Sequence, residues 1–208
     1  MCAVEVSNSS GVKRKADNHG EKHDKKRPVP PWALGLKSSM EDPALRVEDD
    51  DKVVIIKDKY PKARQHYLIL PKEDIRNLKS LNAEHIPLLK HMQKKGQELA
   101  DKSPQCQFRL GYHGIPSMSQ VHLHVISQDF DSPCLKTKKH WNSFTSEYFI
   151  DSSDVIKQLE EKGSVTVDTG KFEGYLKQAL KCHVCKKDFK TMPALKSHIL
   201  QHAPKKTS

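Results

Sequence analysis

The stretch Gln120-Val-His-Leu-His-Val-Ile126 decides how this chain is read. Apolar and polar residues alternate along it, which is the pattern of a strand with two unlike faces. Residues two apart on a strand share a face, so His122 and His124 project side by side. Val121, Leu123 and Val125 then face the opposite way, into a core. Two imidazoles on one face pack poorly but suit phosphate chemistry. Neutral imidazole is nucleophilic at about pH 7, and a neighbouring ring can donate a hydrogen bond. The alternative is an edge strand carrying two solvated histidines.

The flanking sequence bears on that choice. Upstream, Lys52-Val-Val-Ile-Ile-Lys-Asp58 and His66-Tyr-Leu-Ile-Leu-Pro71 are β-branched apolar runs separated by a turn containing Pro61, which predicts a hairpin. Over residues 74–101, Ile75, Leu78, Leu81, Ile86, Leu88, Leu89, Met92 and Leu99 recur at roughly helical spacing. This predicts a helix with Asn82 as its N-cap and Pro87 in its first turn. Residues 107–113 read as another strand, and the loop Gly114-Ile-Pro-Ser-Met-Ser119 leads into the histidine strand. The order strand, strand, helix, strand, strand implies an α+β fold with a mostly antiparallel sheet and flanking helices.

A second constellation lies near the C-terminus. Cys182-x2-Cys185-x12-His198-x3-His202 has the spacing of a small ββα finger, with Phe189 and Leu195 at its two apolar core positions. Two thiolates and two imidazoles close a tetrahedron around zinc, and the two histidines, four apart, share a helix face. So short a segment buries too little surface to fold alone, so the zinc is expected to be structural. A single finger reads few base pairs. With Lys186, Lys187, Lys190, Lys196 and Ser197 around it, a grip on the DNA backbone is the expected role.

The chain has 208 residues and a net charge of +10, enough length for one domain and an appendage. No apolar run reaches membrane-spanning length, and no secretory pattern opens the chain. Of five cysteines two belong to the finger; Cys2, Cys106 and Cys134 have no framework spacing, which fits a reducing compartment. Residues 7–30 are polar and are expected to be disordered. Within them Lys13-Arg-Lys15 and Lys25-Lys-Arg27, nine residues apart, resemble a bipartite nuclear import signal, giving a nuclear expectation that includes the nucleolus. Excess positive charge also suits a nucleic-acid partner, through release of counterions from phosphate. The expected division is a basic tail over 1–29, a catalytic domain over 30–165 and the finger over 166–208.

Asp58, His66, Pro71 and the run from Val121 to Ile126 resemble the histidine triad family of nucleotide hydrolases and transferases. The family pattern is His-φ-His-φ-His-φ-φ, and this chain has Gln120 in place of the first histidine. Glutamine can still donate a hydrogen bond to the site. The resemblance implies that His122 is the nucleophile, that His124 and His66 help hold the α-phosphate, and that Asp58 binds the ribose hydroxyls. The loop from Gly111 to Ser119, the residues after the histidine strand and Lys138-Lys-His-Trp-Asn-Ser-Phe144 resemble more specifically the DNA-repair branch of that family.

That branch implies removal of AMP from abortive ligation products, in which AMP is joined through a pyrophosphate to a DNA 5′ end. The resemblance implies a covalent AMP-histidine on His122, with Lys139 stabilising charge and His113 serving the bridging or DNA phosphate. Ser117, Met118 and Gln120 are expected at the substrate, and Lys138 and His140 along the DNA strand. Trp32 matches a tryptophan that stacks on the exposed terminal base pair, and Trp141 and Phe144 are expected to be framework residues. No catalytic metal is expected. The implied partners are nicked or broken duplex DNA with an adenylated 5′ end, with RNA-DNA junctions and 3′-linked guanylate as further substrates and AMP as product. A forkhead-associated domain, carried by some members, is not seen in this sequence, so phosphoprotein docking of that kind is expected to be absent, and a monomer is expected. Two competing readings are a general hydrolase of adenosine phosphoramidates or dinucleoside polyphosphates, and a catalytically inactive zinc-finger DNA-binding protein.

Overall fold

The computed structural model describes residues 35–202, so the basic tail with its two clusters, and Trp32, lie outside the described residues. Six strands form one antiparallel sheet: β1 (Arg46–Asp49), β2 (Val53–Lys57), β3 (His66–Pro71), β4 (Phe108–His113), β5 (Leu123–Ser127) and β6 (Phe149–Asp151). Their spatial order is β1-β2-β3-β5-β4-β6. The β2–β3 hairpin forms as the sequence predicts, with Val53 opposite Pro71 and Lys57 opposite Tyr67. The histidine strand β5 is central, paired on one side with β3 and on the other with β4. The edge-strand alternative is thereby removed: His122 and His124 are 6% and 4% exposed.

The strand is shorter at its start than the alternation suggests. β5 begins at Leu123, so Gln120, Val121 and His122 precede the regular ladder. Gln120 has φ 88°, in the left-handed region, which breaks the extended run. The N–H groups of Gln120 and Val121 donate instead to the carbonyls of Arg76 (3.1 Å) and Ile75 (2.7 Å). The facing still holds. Val121, Leu123 and Val125 enter a core with Leu89, Met92 and Leu99, while the histidines take the other face.

The helix expected over 74–101 is also shorter. Two 3-10 turns, over Leu78–Ser80 and Ala83–His85, precede helix α2 (Ile86–Asp101). Asn82 does cap, but it caps the second 3-10 turn: its side chain accepts from the Glu84 N–H at 3.1 Å. Pro87 sits in the first turn of α2, where its missing N–H costs nothing. Residues 75 and 76 stay irregular because their carbonyls serve the Gln120–Val121 segment.

Five further helices complete the fold: α1 (Gly35–Glu41), α3 (Lys138–Thr145), α4 (Ser152–Lys162), α5 (Thr169–Lys177) and α6 (Met192–Ile199). α2 and α4 cover one sheet face. On the other, Ile126, Phe130, Trp141, Phe144 and Phe149 form a cluster that continues without a break into Leu180, Cys182, Leu195 and Ile199. The finger, with its hairpin β7 (Leu180–Lys181) and β8 (Asp188–Phe189), therefore shares a core with the sheet rather than standing beside it. Trp141 is fully buried at this junction, and its indole N–H donates to the Lys181 carbonyl at 2.9 Å. The Asn142 amide donates to the Leu176 and Gln178 carbonyls, and the Lys196 ammonium to the Ser132 carbonyl. Among the described residues no helix is long and apolar enough to cross a membrane.

Candidate active site and zinc site

Four imidazoles meet at one end of the sheet. The His124 ring centroid lies 5.2 Å from His66, 4.8 Å from His122 and 4.5 Å from His113. β3, β4, β5 and the segment before β5 supply one each, so adjacent pairing of three strands brings together residues far apart in the chain. Phe144 of α3 closes the group, 4.6 Å from His113 and 5.3 Å from both His66 and His124.

Hydrogen bonds assign the protons. The Lys62 backbone N–H can only donate, and it reaches Nδ1 of His66 at 3.2 Å. Nε2 of His66 must then carry the proton and donate to Nδ1 of His124 at 2.9 Å. That leaves the proton of His124 on Nε2, a buried atom with no protein partner. His122 is set the other way round: its Nδ1 donates to the Gln120 carbonyl at 2.8 Å. Its Nε2 therefore keeps a lone pair. A nucleophile and an unsatisfied donor stand next to each other, which suits attack on phosphorus with a hydrogen bond to a phosphoryl oxygen.

Burial is the main influence on all four rings. It brings His66 down to about 4, partly offset by Asp58. It pushes His113 and His124 well below the ordinary histidine value, helped by the neighbouring rings, and lowers His122 against the opposing pull of the Gln120 carbonyl. Neutral rings are the result, in agreement with the proton assignment.

The remaining sequence-predicted residues fall into three groups. Asp58 is part of the site: Oδ1 accepts from the Tyr60 N–H at 2.7 Å and Oδ2 lies 3.4 Å from Nδ1 of His66. Lys138, Lys139 and His140 form the first turn of α3, the helix that carries Phe144, and Thr137 caps it by accepting from the His140 N–H. The His140 ring accepts from the Lys136 N–H at 3.4 Å, and burial with Lys62 and Lys139 nearby lowers its pKa. Ser117 is exposed on the loop before the triad, and Met118 packs against the cluster of Leu36, Val54 and Leu68.

Gln120 requires a correction. Its side-chain amide does not face the imidazoles as a phosphate donor. Nε2 donates to the carbonyls of Pro71 (2.8 Å) and Glu73 (2.7 Å), so both protons are engaged. The residue serves through its backbone carbonyl, which orients His122. Lys62 is the residue that sequence reasoning missed. Its contribution is a main-chain N–H, and Pro61-Lys-Ala-Arg64 carries no side-chain signal for that beyond a turn.

Cys182, Cys185, His198 and His202 converge, with their ligand atoms within 4.8 Å of one another. Sγ of Cys185 is 3.1 Å from Nε2 of His198, which is 3.2 Å from Nε2 of His202. These separations match the edges of a tetrahedron of zinc ligands, so the four residues fit a zinc ion. His202 lies on a 3-10 turn, Leu200–His202, that continues α6. A second cluster of ligand type, Asp58, His66 and His124, is different. Both ring nitrogens of His66 are already hydrogen-bonded, so it is a proton network.

The model described as scavenger mRNA decapping enzyme C-terminal binding matches residues 32–140, and that of a C2HE / C2H2 / C2HC zinc-binding finger matches 145–205. Aprataxin from Danio rerio is 58% identical over 176 residues, covering 83% of this chain and 54% of that protein. The aprataxin-like protein of Saccharomyces cerevisiae is 31% identical over 81% of this chain and 94% of its own length. The chain belongs to the aprataxin family. A solved aprataxin ortholog, Hnt3 in complex with DNA, superposes with a TM-score of 0.69 at 25% identity, over 83% of this chain and 94% of that one. The chain spans about half the length of the zebrafish aprataxin. The finger match opens at residue 145, at the end of α3, in keeping with a finger built onto the sheet.

Proposed function

We propose that the protein is a DNA 5′-adenylate hydrolase, removing AMP from abortive ligation products at nicks and breaks. The observation that carries this is the polarised imidazole network, with a lone pair on Nε2 of His122 beside an unpartnered N–H on Nε2 of His124. In the reaction Nε2 of His122 attacks the AMP phosphorus. A P–N bond forms, and the P–O bond to the DNA 5′-phosphate breaks. His124 holds a non-bridging oxygen, and His113, whose Nε2 is also buried and unpartnered, serves the bridging oxygen. Lys139 neutralises the departing phosphate. Water then cleaves the P–N bond and releases AMP, restoring the 5′-phosphate. Two steps through a reactive phosphoramidate replace one slow hydrolysis.

Asp58 holds the ribose hydroxyls, and Ser117 and Met118 flank the nucleotide. The zinc is structural, since its four ligands leave no open position. DNA as partner is supported by the Hnt3 complex and by the net charge of +10, and the basic tail supports a nuclear location. RNA-DNA junctions and 3′-guanylate are further substrates of the same chemistry.

The test is AMP release from a nicked duplex carrying a 5′-adenylate, for wild type and His122→Ala, with an adenosine phosphoramidate in parallel. Release from DNA that disappears in His122→Ala is the expected result. Turnover of the phosphoramidate alone would reassign the protein as a general nucleotide hydrolase; DNA binding without turnover of either would make it a binding protein.

A further inference from the structure

A cavity of about 310 Å³ adjoins the imidazole group: it shares Asn77, Leu78 and Pro116 in its lining with the small cleft that reaches His113 and His122. The polar side chains lining that cavity are Arg76, Asn77, Lys79, Ser117, Ser119 and Thr169, and no carboxylate lines it. Arg76 and Lys79 are exposed, and neither makes an ion pair among the described residues. Two unpaired cations and four small polar groups in a concave site form an anion-binding lining.

The position is held by the backbone. The carbonyls of Ile75 and Arg76 accept from Val121 and Gln120, so the segment bearing both cations is tied to the segment bearing the nucleophile. The opposite wall is equally fixed: Gly114 N–H donates to the Tyr148 carbonyl, the Tyr148 hydroxyl donates to the Ile115 carbonyl, and Phe172 packs on Gly114. At the lower end of the roughly 300–1,000 Å³ range of small-ligand pockets, the cavity has room for one nucleotide unit and not for a duplex. Its lining includes Ser117 and Met118, proposed above to flank the nucleotide, so it adjoins the place of the adenosine on the side of Arg76 and Lys79.

We propose that this cavity is a phosphodiester subsite, in which Arg76 and Lys79 hold a backbone phosphate of the nucleic-acid strand whose end is being processed. The inference rests on the reading given above as the proposed function and extends it. A strand end anchored here would have its terminal pyrophosphate next to the segment that carries His122, to which the Arg76 segment is tied. The anchor is blind to sequence, because only phosphate is read.

The experiment uses the full chain: wild type, Arg76→Ala/Lys79→Ala, and a control pair Lys94→Ala/Lys162→Ala on α2 and α4, away from the cavity. Each is assayed on the adenylated nicked duplex over a salt series and on an adenosine phosphoramidate, which has no strand phosphate for Arg76 and Lys79 to hold. For Arg76→Ala/Lys79→Ala the KM for the duplex rises about tenfold, the log–log salt slope of that KM falls by about 1–2, and kcat at saturating duplex is retained. Turnover of the phosphoramidate is retained as well, and the control pair shifts the duplex KM by less than about twofold. An unchanged duplex KM, an equal rise in the control pair, or equal losses on both substrates would each overturn the subsite. Failure of the wild type itself to release AMP from the duplex would refute the proposed function, and the subsite with it, in a separate arm of the same assay.

Discussion

Gln120 shows how one residue can hold a site without touching what binds there. Its amide ties down Pro71 and Glu73, its positive φ turns the chain, and its carbonyl fixes the His122 tautomer. Gln120→Ala removes the amide donor from the buried Pro71 carbonyl and the part-buried Glu73 carbonyl, and is expected to cost about 1–3 kcal/mol in urea denaturation. On the proposed mechanism kcat falls by about tenfold, because the carbonyl that orients His122 stays but the segment that carries it loses its side-chain anchor. The pH dependence belongs to this scale too. The lowered pKa of His122 keeps Nε2 unprotonated above about 6.5. kcat is therefore expected to stay level through the range in which an ordinary histidine titrates and to fall only at more acidic pH. The same burial affects stability. His66 titrates at about 4 folded and at about 6.5 unfolded, so the unfolded chain binds more protons between those values. Its contribution, on the order of 3 kcal/mol, is present above about pH 6.5 and is lost as pH falls towards 4. Denaturation midpoints measured across that window check it.

At the scale of the element, two contacts place the segments next to the imidazole group. Thr137 caps α3, which carries Lys138, Lys139 and His140. Thr137→Ala is expected to lower stability by about 1 kcal/mol and to weaken activity on adenylated DNA through a frayed first turn. The second contact is between α5 and the 114–119 loop. A Cβ on Gly114 would lie 2.0 Å from Cε1 of Phe172, so this is a position where only glycine fits. Gly114→Ala is expected to cost about 1–3 kcal/mol. Phe172→Leu in the same background should recover part of that, as a positive coupling in a double-mutant cycle. Additive losses would mean that the loop moves away instead.

At the scale of the whole molecule, the described residues of sheet and finger share one packed core across the boundary that the spacing of motifs suggests. Leu180, Cys182, Leu195 and Ile199 from the finger share a cluster with Phe130, Trp141 and Phe144, and Phe144 also packs against His66 and His113. Loss of zinc should therefore reach the imidazoles. Cys182→Ser, or strong chelation, is expected to lower the thermal midpoint of the entire protein in a single transition and to reduce phosphoramidate turnover as well as action on DNA. Two separate transitions, with small-substrate turnover intact, would describe an independent finger.

Much of this was legible beforehand because it rests on local chemistry. Alternation of apolar residues and histidines specifies which face each side chain takes, and it survived although β5 starts three residues later than the pattern suggests. Ligand spacing in the finger specifies a metal site, since two cysteines and two histidines at those intervals can close on one ion. Cap and proline rules placed Asn82 and Pro87 at helical starts, though α2 itself begins only at Ile86. The proton assignment was not legible, because it depends on a main-chain N–H at Lys62 and a main-chain carbonyl at Gln120, and every residue type carries those groups. Nor was the shared core, because Trp141 and Leu195 meet only once the chain has folded back, and apolar residues do not name their partners. The sequence by itself determined the chemical groups, their faces and the metal ligands. Only the tertiary structure decided which imidazole holds a lone pair, where Gln120 points and that finger and sheet are one core, since these follow from main-chain polarity and long-range packing.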